Sequence, residues 1–224
     1  MKIDLGFLID CTGSMERWIR AAKDQTAKIV SDVIAQHGDD VRIRVGFVGY
    51  RDYDDEERFV IRDFNQPDFV LQEIRDVHAE GGDDIAEDVA NGLYHLRHLN
   101  WNGDINMIVH IADAPAHGLQ FHAARFSDRF PEGDPSGTNL LELITYFSTQ
   151  RYNYTFVRIN ASTDTMIEQF HNCYMNSSLF RVLDLTPQGR EVYDTTMMLG
   201  PSITATITNS IYHHYTDTQD PTEV

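Results

Sequence analysis

Five short apolar runs recur along this chain at intervals long enough to hold a helix, and nothing else in the sequence narrows the fold as much. They are IDLGFLI (3–9), VRIRVGFVGY (41–50), INMIVHIA (105–112), YTFVRI (154–159) and LFRVLDL (179–185). Largely apolar runs suit strands buried on both faces, and strands joined through helices must cross over and align parallel. The expected architecture is α/β: a Rossmann-like, mostly parallel central sheet with helices on both faces. The run RFVIRDF (58–64) follows the second strand too closely for a crossover, so it is expected to pair antiparallel as one edge strand. Helices are expected over 15–36, 67–77, 85–99, 138–150, 164–173 and 190–214, the last interrupted at Gly200 and Pro201. In the first helix Trp18, Ala22, Ile29, Val33 and Ile34 follow helical spacing, and Ser14 stands where an N-cap would.

At 224 residues with 42% apolar content, the chain is expected to form one domain over 1–215, followed by a polar, disordered tail over 216–224. The formal charge of −17 argues against nucleic acid and anionic lipid, which are bound through Lys and Arg. Cations, or protein partners with basic patches, suit it better, and the same acidity serves solubility. No apolar run approaches the roughly 18 residues of a membrane span, so membrane insertion is not expected. Two cysteines, Cys11 and Cys173, make no disulfide framework; a soluble, cytoplasmic protein is the expectation.

In open parallel sheets ligands collect beyond the carboxyl ends of the strands. That rule brings four acidic segments to one rim. The first strand ends in IDCTGSM with Asp10, the second runs into GYRDYDD, AEGGDDIAED precedes a helix, and the fourth strand ends in HIADAPAHG with Asp113. Carboxylates gathered so closely repel unless a cation neutralises them, and the hydroxyls of Thr12 and Ser14 add hard oxygen donors without charge. Such a donor set suits Mg²⁺, Mn²⁺ or Ca²⁺. His95 and His98 share a helix face but lack a third ligand for zinc, and read as surface histidines.

The pattern D-x-T-x-S after a first apolar strand, the glycine-rich loop before a helix and the Asp closing a later strand together resemble the von Willebrand factor type A (vWA) domain. In that family these segments form the metal-ion-dependent adhesion site (MIDAS). The resemblance runs from about residue 3 to about residue 215. DCTGSM, VGFVGYRD, GGDDIAEDV and HIADAPAHG are similar to the signature blocks of the subgroup found beside α-kinase catalytic domains. The resemblance implies that Asp10, Thr12 and Ser14 supply the first loop's ligands and Asp113 the fourth strand's. Where most members offer a threonine, Asp84 stands here, with Asp83 adjacent and able to exchange roles with it by a shift of one residue. An aspartate in that place strengthens the hold on the metal and weakens the pull on an acidic partner.

Simpler alternatives exist for each motif. DCTGS alone could be a capping turn, but capping does not call for acids on other loops. Arg51 and Asp52 either orient ligands from behind or form a salt bridge, while Glu87 and Asp88 read as acids stabilising the start of a helix. Cys11 is expected to point into the core, and 126–137 to form a long surface loop. His117 stands near Asp113, where a base beside metal-bound water would support hydrolysis; a loop-structuring role is the plainer reading. Neither a G-x-S-x-G elbow nor a phosphate loop is present. The terminal TEV matches a PDZ ligand in three residues, which chance also explains. The expected function is a non-enzymatic, metal-dependent protein-interaction module. The alternatives are a regulatory subunit acting in trans on an α-kinase-like enzyme and a metal-dependent hydrolase using His117.

Overall fold

The structure, a computed structural model, describes all residues except 39, 83, 187–194 and 220–224, and leaves out the side chains of 217–219. Six strands form one sheet: β1 (Lys2–Asp10), β2 (Arg42–Tyr50), β3 (Phe59–Asn65), β4 (Ile105–Ala112), β5 (Asn153–Arg158) and β6 (Phe180–Asp184). Their spatial order is β3-β2-β1-β4-β5-β6. Only the β2–β3 pair is antiparallel, so the short connection after β2 makes an edge strand as its length requires. The helices are α1 (Glu16–His37), α2 (Pro67–Glu73), α3 (Val89–Arg97), α4 (Leu140–Thr149), α5 (Asp164–Cys173) and α6 (Leu199–Gln219).

Two apolar layers cover the sheet. Odd positions of β1 (Ile3, Leu5, Phe7, Ile9) pack with Trp18, Ile29 and Val33 of α1 and with Ile203, Ile207 and Ile211 of α6. Leu8, on the opposite face, joins Leu93, Ile144 and Phe170 from α3, α4 and α5. Gly6 shares that second face because a Cβ there would lie 2.6 Å from the ring of Trp101. Of the apolar positions on α1 that follow helical spacing, Trp18, Ala22, Ile29 and Val33 are buried, while Ile34 is 37% exposed at the edge of the stripe.

Several helix boundaries differ from expectation, among them the end of α2 at Glu73 and not at 77. The last helix, expected over 190–214 with an interruption at Gly200 and Pro201, is broken by a turn at Met197 and Met198, and α6 starts afresh at Leu199 with Gly200 and Pro201 in its first turn, where a proline forfeits only an N–H that has no helical partner. The helix continues to Gln219, past residue 215, and TEV lies outside the described residues. α3 begins at Val89 and not at Ile85, with Asp88 as its cap.

Chain order reverses between β1 and β4: β2 leaves β1 on one side and β4 joins it on the other. This switch point opens a crevice at the strands' carboxyl ends, where Asp10 closes β1 and Asp113 follows β4.

Candidate metal centre

Asp10 is fully buried at the end of β1. One carboxylate oxygen, Oδ1, accepts from the Thr12 N–H at 2.9 Å and the Thr12 hydroxyl at 2.6 Å, while Oδ2 has no hydrogen-bond partner. Burial, then the charge of Asp113, pushes the Asp10 carboxyl up to about 7. Ser14 does not cap α1. It sits in a short 3₁₀ turn (Gly13–Met15) with its hydroxyl donating to Asp113 Oδ1 at 2.9 Å, so it joins the two sides of the crevice. Asp113 is held from the next loop, where Asn160 Nδ2 and the Ser162 hydroxyl donate to its main-chain carbonyl. Thr12, Ser14 and Asp113 thus line one cleft of about 450 Å³, and the Thr12 hydroxyl ties the buried Asp10 to it.

The glycine-rich loop closes the cleft. Gly81 and Gly82 both have left-handed φ values, +82° and +85°, which other residues rarely adopt. Main-chain bonds tie this loop to the first: Gly13 N–H to the Gly81 carbonyl at 3.1 Å and Glu80 N–H to the Cys11 carbonyl at 3.1 Å. Arg51, buried at the end of β2, donates to the carbonyls of Cys11 at 3.2 Å and His78 at 3.0 Å, and to that of Glu57. It therefore holds loop backbones together; its carboxylate neighbours are Glu57 and Glu80, and it neither orients a candidate ligand side chain nor pairs with Asp52. Cys11 points into the core, and burial pushes its thiol up to about 12.

Glu87 stands in this cleft too, contrary to its expected place on a helix. Asp88 caps α3 by accepting from the Asn91 N–H at 3.1 Å. Glu87, one residue earlier, bridges to Ala116, donates its N–H to the Pro115 carbonyl at 2.9 Å and is only 3% exposed. Its Oε2 has no hydrogen-bond partner. Burial, then the charge of Asp10, pushes its carboxyl up to about 10. The pair "ED" before an apolar run was the available signal: one acid suffices as a cap, which leaves the other to be explained.

A second acidic group lies beside the first. Ligand atoms of Asp84, His117 and Asp128 come within 4.8 Å of one another. His117 faces Asp52 Oδ1 at 2.7 Å through Nε2 and Asp128 Oδ1 at 2.8 Å through Nδ1. Burial works to lower its pKa, but the bonds to the two carboxylates outweigh it and hold the imidazole above its ordinary value. Asp128 also accepts from the N–H groups of Gly118 and Phe130, both at 2.8 Å, and from His122 at 2.9 Å. Burial opposes ionisation there, yet these donors hold its carboxyl below the usual range. Both His117 nitrogens are thus committed to carboxylates, which structures the loop and aims no base at the cleft. Asp84 accepts from the Arg129 N–H at 2.6 Å through Oδ2, its Oδ1 has no partner, and burial raises its pKa. Asp83 lies outside the described residues. The segment 126–137 forms a long surface loop as expected, and Asp128 and Asp134 anchor it, the latter by accepting from Asn91 Nδ2 and the Thr138 N–H, both at 2.8 Å. Sequence reasoning missed Asp128 because nothing local distinguishes it from other loop acids.

The donor set fits a hard divalent cation. Asp10 and Glu87 each leave a carboxylate oxygen unpartnered, and hydroxyl and carboxylate oxygens surround them. Among the described residues no helix is long and apolar enough to cross a membrane.

Residues 4–123 match the sequence profile of the von Willebrand factor A domain. A curated relative, the alpha-protein kinase vwkA of Dictyostelium discoideum, is 34% identical over 173 residues, which are 75% of this chain and 27% of that protein. The chain therefore spans about a quarter of the relative's length. Among solved structures, the vWF domain of the type V pili tip protein Mfa5 from Porphyromonas gingivalis superposes with a TM-score of 0.60 at 12% identity, covering 93% of this chain and 96% of that one. The pilus adhesin SpaC from Lactobacillus rhamnosus GG gives a TM-score of 0.60 at 11% identity, covering 92% of this chain and 30% of that one.

Proposed function

Since the chain belongs to the von Willebrand factor A domain family, we propose that it is a protein-interaction module whose contact with its partner depends on a divalent cation, Mg²⁺, Mn²⁺ or Ca²⁺, held by Asp10, Thr12, Ser14 and Asp113. The observation that carries this reading is the unpartnered Oδ2 of Asp10, a fully buried side chain bonded to Thr12, which lines the cleft with Ser14 and Asp113. A fully buried carboxylate oxygen without a donor is costly, and a cation removes the cost. When bound, the ion supplies positive charge and open coordination positions for a group from the partner. This chain's residues hold it: Asp10 from β1, Thr12 and Ser14 from the following turn, and Asp113 from across the switch point. The hydrogen bonds from Thr12 to Asp10 and from Ser14 to Asp113 keep both carboxylates in place in the meantime.

In this reading the module is non-enzymatic and works in the cytoplasm, in keeping with two free cysteines. With a formal charge of −17, it favours a partner that presents basic or neutral groups. Isothermal titration of chelator-treated protein tests the metal site. One divalent-ion site is expected, abolished by Asp10→Ala and by Asp113→Ala; absence of heat from the wild type, or unchanged heat in both variants, overturns the reading.

The 34% identity to a relative named as an α-protein kinase favours a second reading: the module regulates an α-kinase-like enzyme in trans. Capture from native extract in Mg²⁺-containing buffer, followed by a kinase assay of the eluate, is expected to recover kinase activity that chelator releases. Recovery of partners without kinase activity rejects this second reading and leaves the first standing.

A further inference from the structure

We propose that Glu87, and not Asp84, is the third acidic side chain that contacts the cation in the cleft. The inference rests on the reading of that cleft as a metal site.

Three observations carry it. Glu87 is 97% buried by its 3% exposure, yet its Oε2 meets no donor, and the same is true of Oδ2 on the fully buried Asp10. Buried carboxylate oxygens are almost always matched by N–H or O–H groups, so two unmatched ones bordering the same loop call for a third party that accepts lone pairs. Secondly, Gly82 lies between Thr12 and Glu87: a Cβ built on it would sit 3.2 Å from Thr12 Cβ and 3.0 Å from Glu87 Oε1. The Glu87 carboxyl therefore reaches the loop that carries Thr12, and the missing side chain at position 82 leaves it room. Thirdly, its backbone is fastened to the other wall of the cleft, through its N–H to Pro115 and its bridge to Ala116, two and three residues beyond Asp113. Asp84 lines the same cleft and also leaves one oxygen, Oδ1, without a partner, but it is only half-buried, its Oδ2 accepts from the Arg129 N–H, and its carboxylate groups with His117 and Asp128.

Chemically, Asp10, Asp113 and Glu87 would place three negative charges around a dipositive ion. Such a site holds its metal tightly and has no net positive charge with which to attract a carboxylate, so the partner group is neutral or basic. A glutamate reaching in from beside a helix cap does what a loop threonine does elsewhere, with one more charge.

The test is isothermal titration of Mn²⁺ into chelator-treated wild type, Glu87→Gln and Asp84→Asn, with Glu87→Asp as a shortened but charged variant should Glu87→Gln fail to fold. Thermal melts in chelator establish that each variant is folded. Expected are a loss of affinity of at least about tenfold to a hundredfold in Glu87→Gln, or in Glu87→Asp, and a change within about threefold in Asp84→Asn. Wild-type affinity in the folded Glu87 variant, or a larger loss in Asp84→Asn, overturns the assignment while leaving the metal site intact. If wild type itself takes up no Mn²⁺, the metal site and this assignment fall together.

Discussion

Asp10 and Asp128 are both buried aspartates at the carboxyl edge of the same sheet, and the chain treats them in opposite ways. Asp128 receives two main-chain N–H groups and two imidazoles, and its carboxyl is held below the usual range. Asp10 receives only Thr12, faces Asp113 and Glu87, and is pushed up to about 7. The first is an acid the protein has finished neutralising through hydrogen bonds. The second is an acid left wanting. Acidity alone does not mark a binding site; an unanswered lone pair in a buried place does.

The sharpest way to break the comparison is to remove each acid in chelator and follow thermal unfolding. Asp128→Ala leaves two N–H groups and two imidazoles without their acceptor, and is expected to cost about 3–5 kcal/mol, or roughly 6–20 °C in Tm at 2–4 °C per kcal/mol. Asp10→Asn, in the same buffer, is expected to be neutral or stabilising, because it removes a charge that nothing compensates. A loss as large as that of Asp128→Ala would show Asp10 to be satisfied after all. Next in size is the effect of the cation. At about one hundred times its Kd a divalent ion should stabilise the wild type by about 2.7 kcal/mol. The gain is expected to vanish in Asp10→Asn and to persist in His122→Asn; a melt series with and without the ion reads both.

A pH series sharpens the contrast further. In the absence of metal the folded Asp10 carboxyl, pushed up to about 7 by burial and by Asp113, releases its proton there while the unfolded one does so near its ordinary value of 3.8, so between these the folded state binds more protons. Stability from this group is therefore complete below about 4 and is lost as pH rises to about 7, with a slope of up to about 1.4 kcal/mol per pH unit. His117, raised above 6.5, acts in the same direction at the upper end, whereas Asp128, lowered, contributes above 3.8 and loses its contribution as pH falls. Asp10→Asn should flatten the slope over 4–7; an unchanged slope would exclude Asp10 as its source. The smallest effect expected is that of His122→Ala, which takes one donor of four from Asp128 and should cost about 1 kcal/mol by chemical denaturation.

Much of this fold is legible in the sequence because its strands are continuous apolar runs and β3 is too near β2 to cross over. D-x-T-x-S is legible for the same reason: the three side chains and the turn that aims them lie within five residues. Glu87 was not. Whether an acid before a helix caps it or enters a cleft depends on where the helix starts, and that start, at Val89, accompanies a bridge to Ala116 from a distant loop. Ser14 illustrates the same limit, since its hydroxyl has a local use as a cap and a distant one at Asp113, and the distant one prevails. Asp128 and Arg51 act entirely through partners far away in sequence, which no local pattern encodes.

Arg51 has a dynamic consequence. Its one guanidinium holds the carbonyls of Cys11, Glu57 and His78, and backbone bonds join the Cys11–Gly13 turn to Glu80 and Gly81. Loops that share a single cationic staple cannot fray one at a time. In hydrogen exchange the amides of Gly13 and Glu80 should therefore open together, as one cooperative unit, and Arg51→Lys, with fewer donors in a less rigid array, should let them exchange at separate rates.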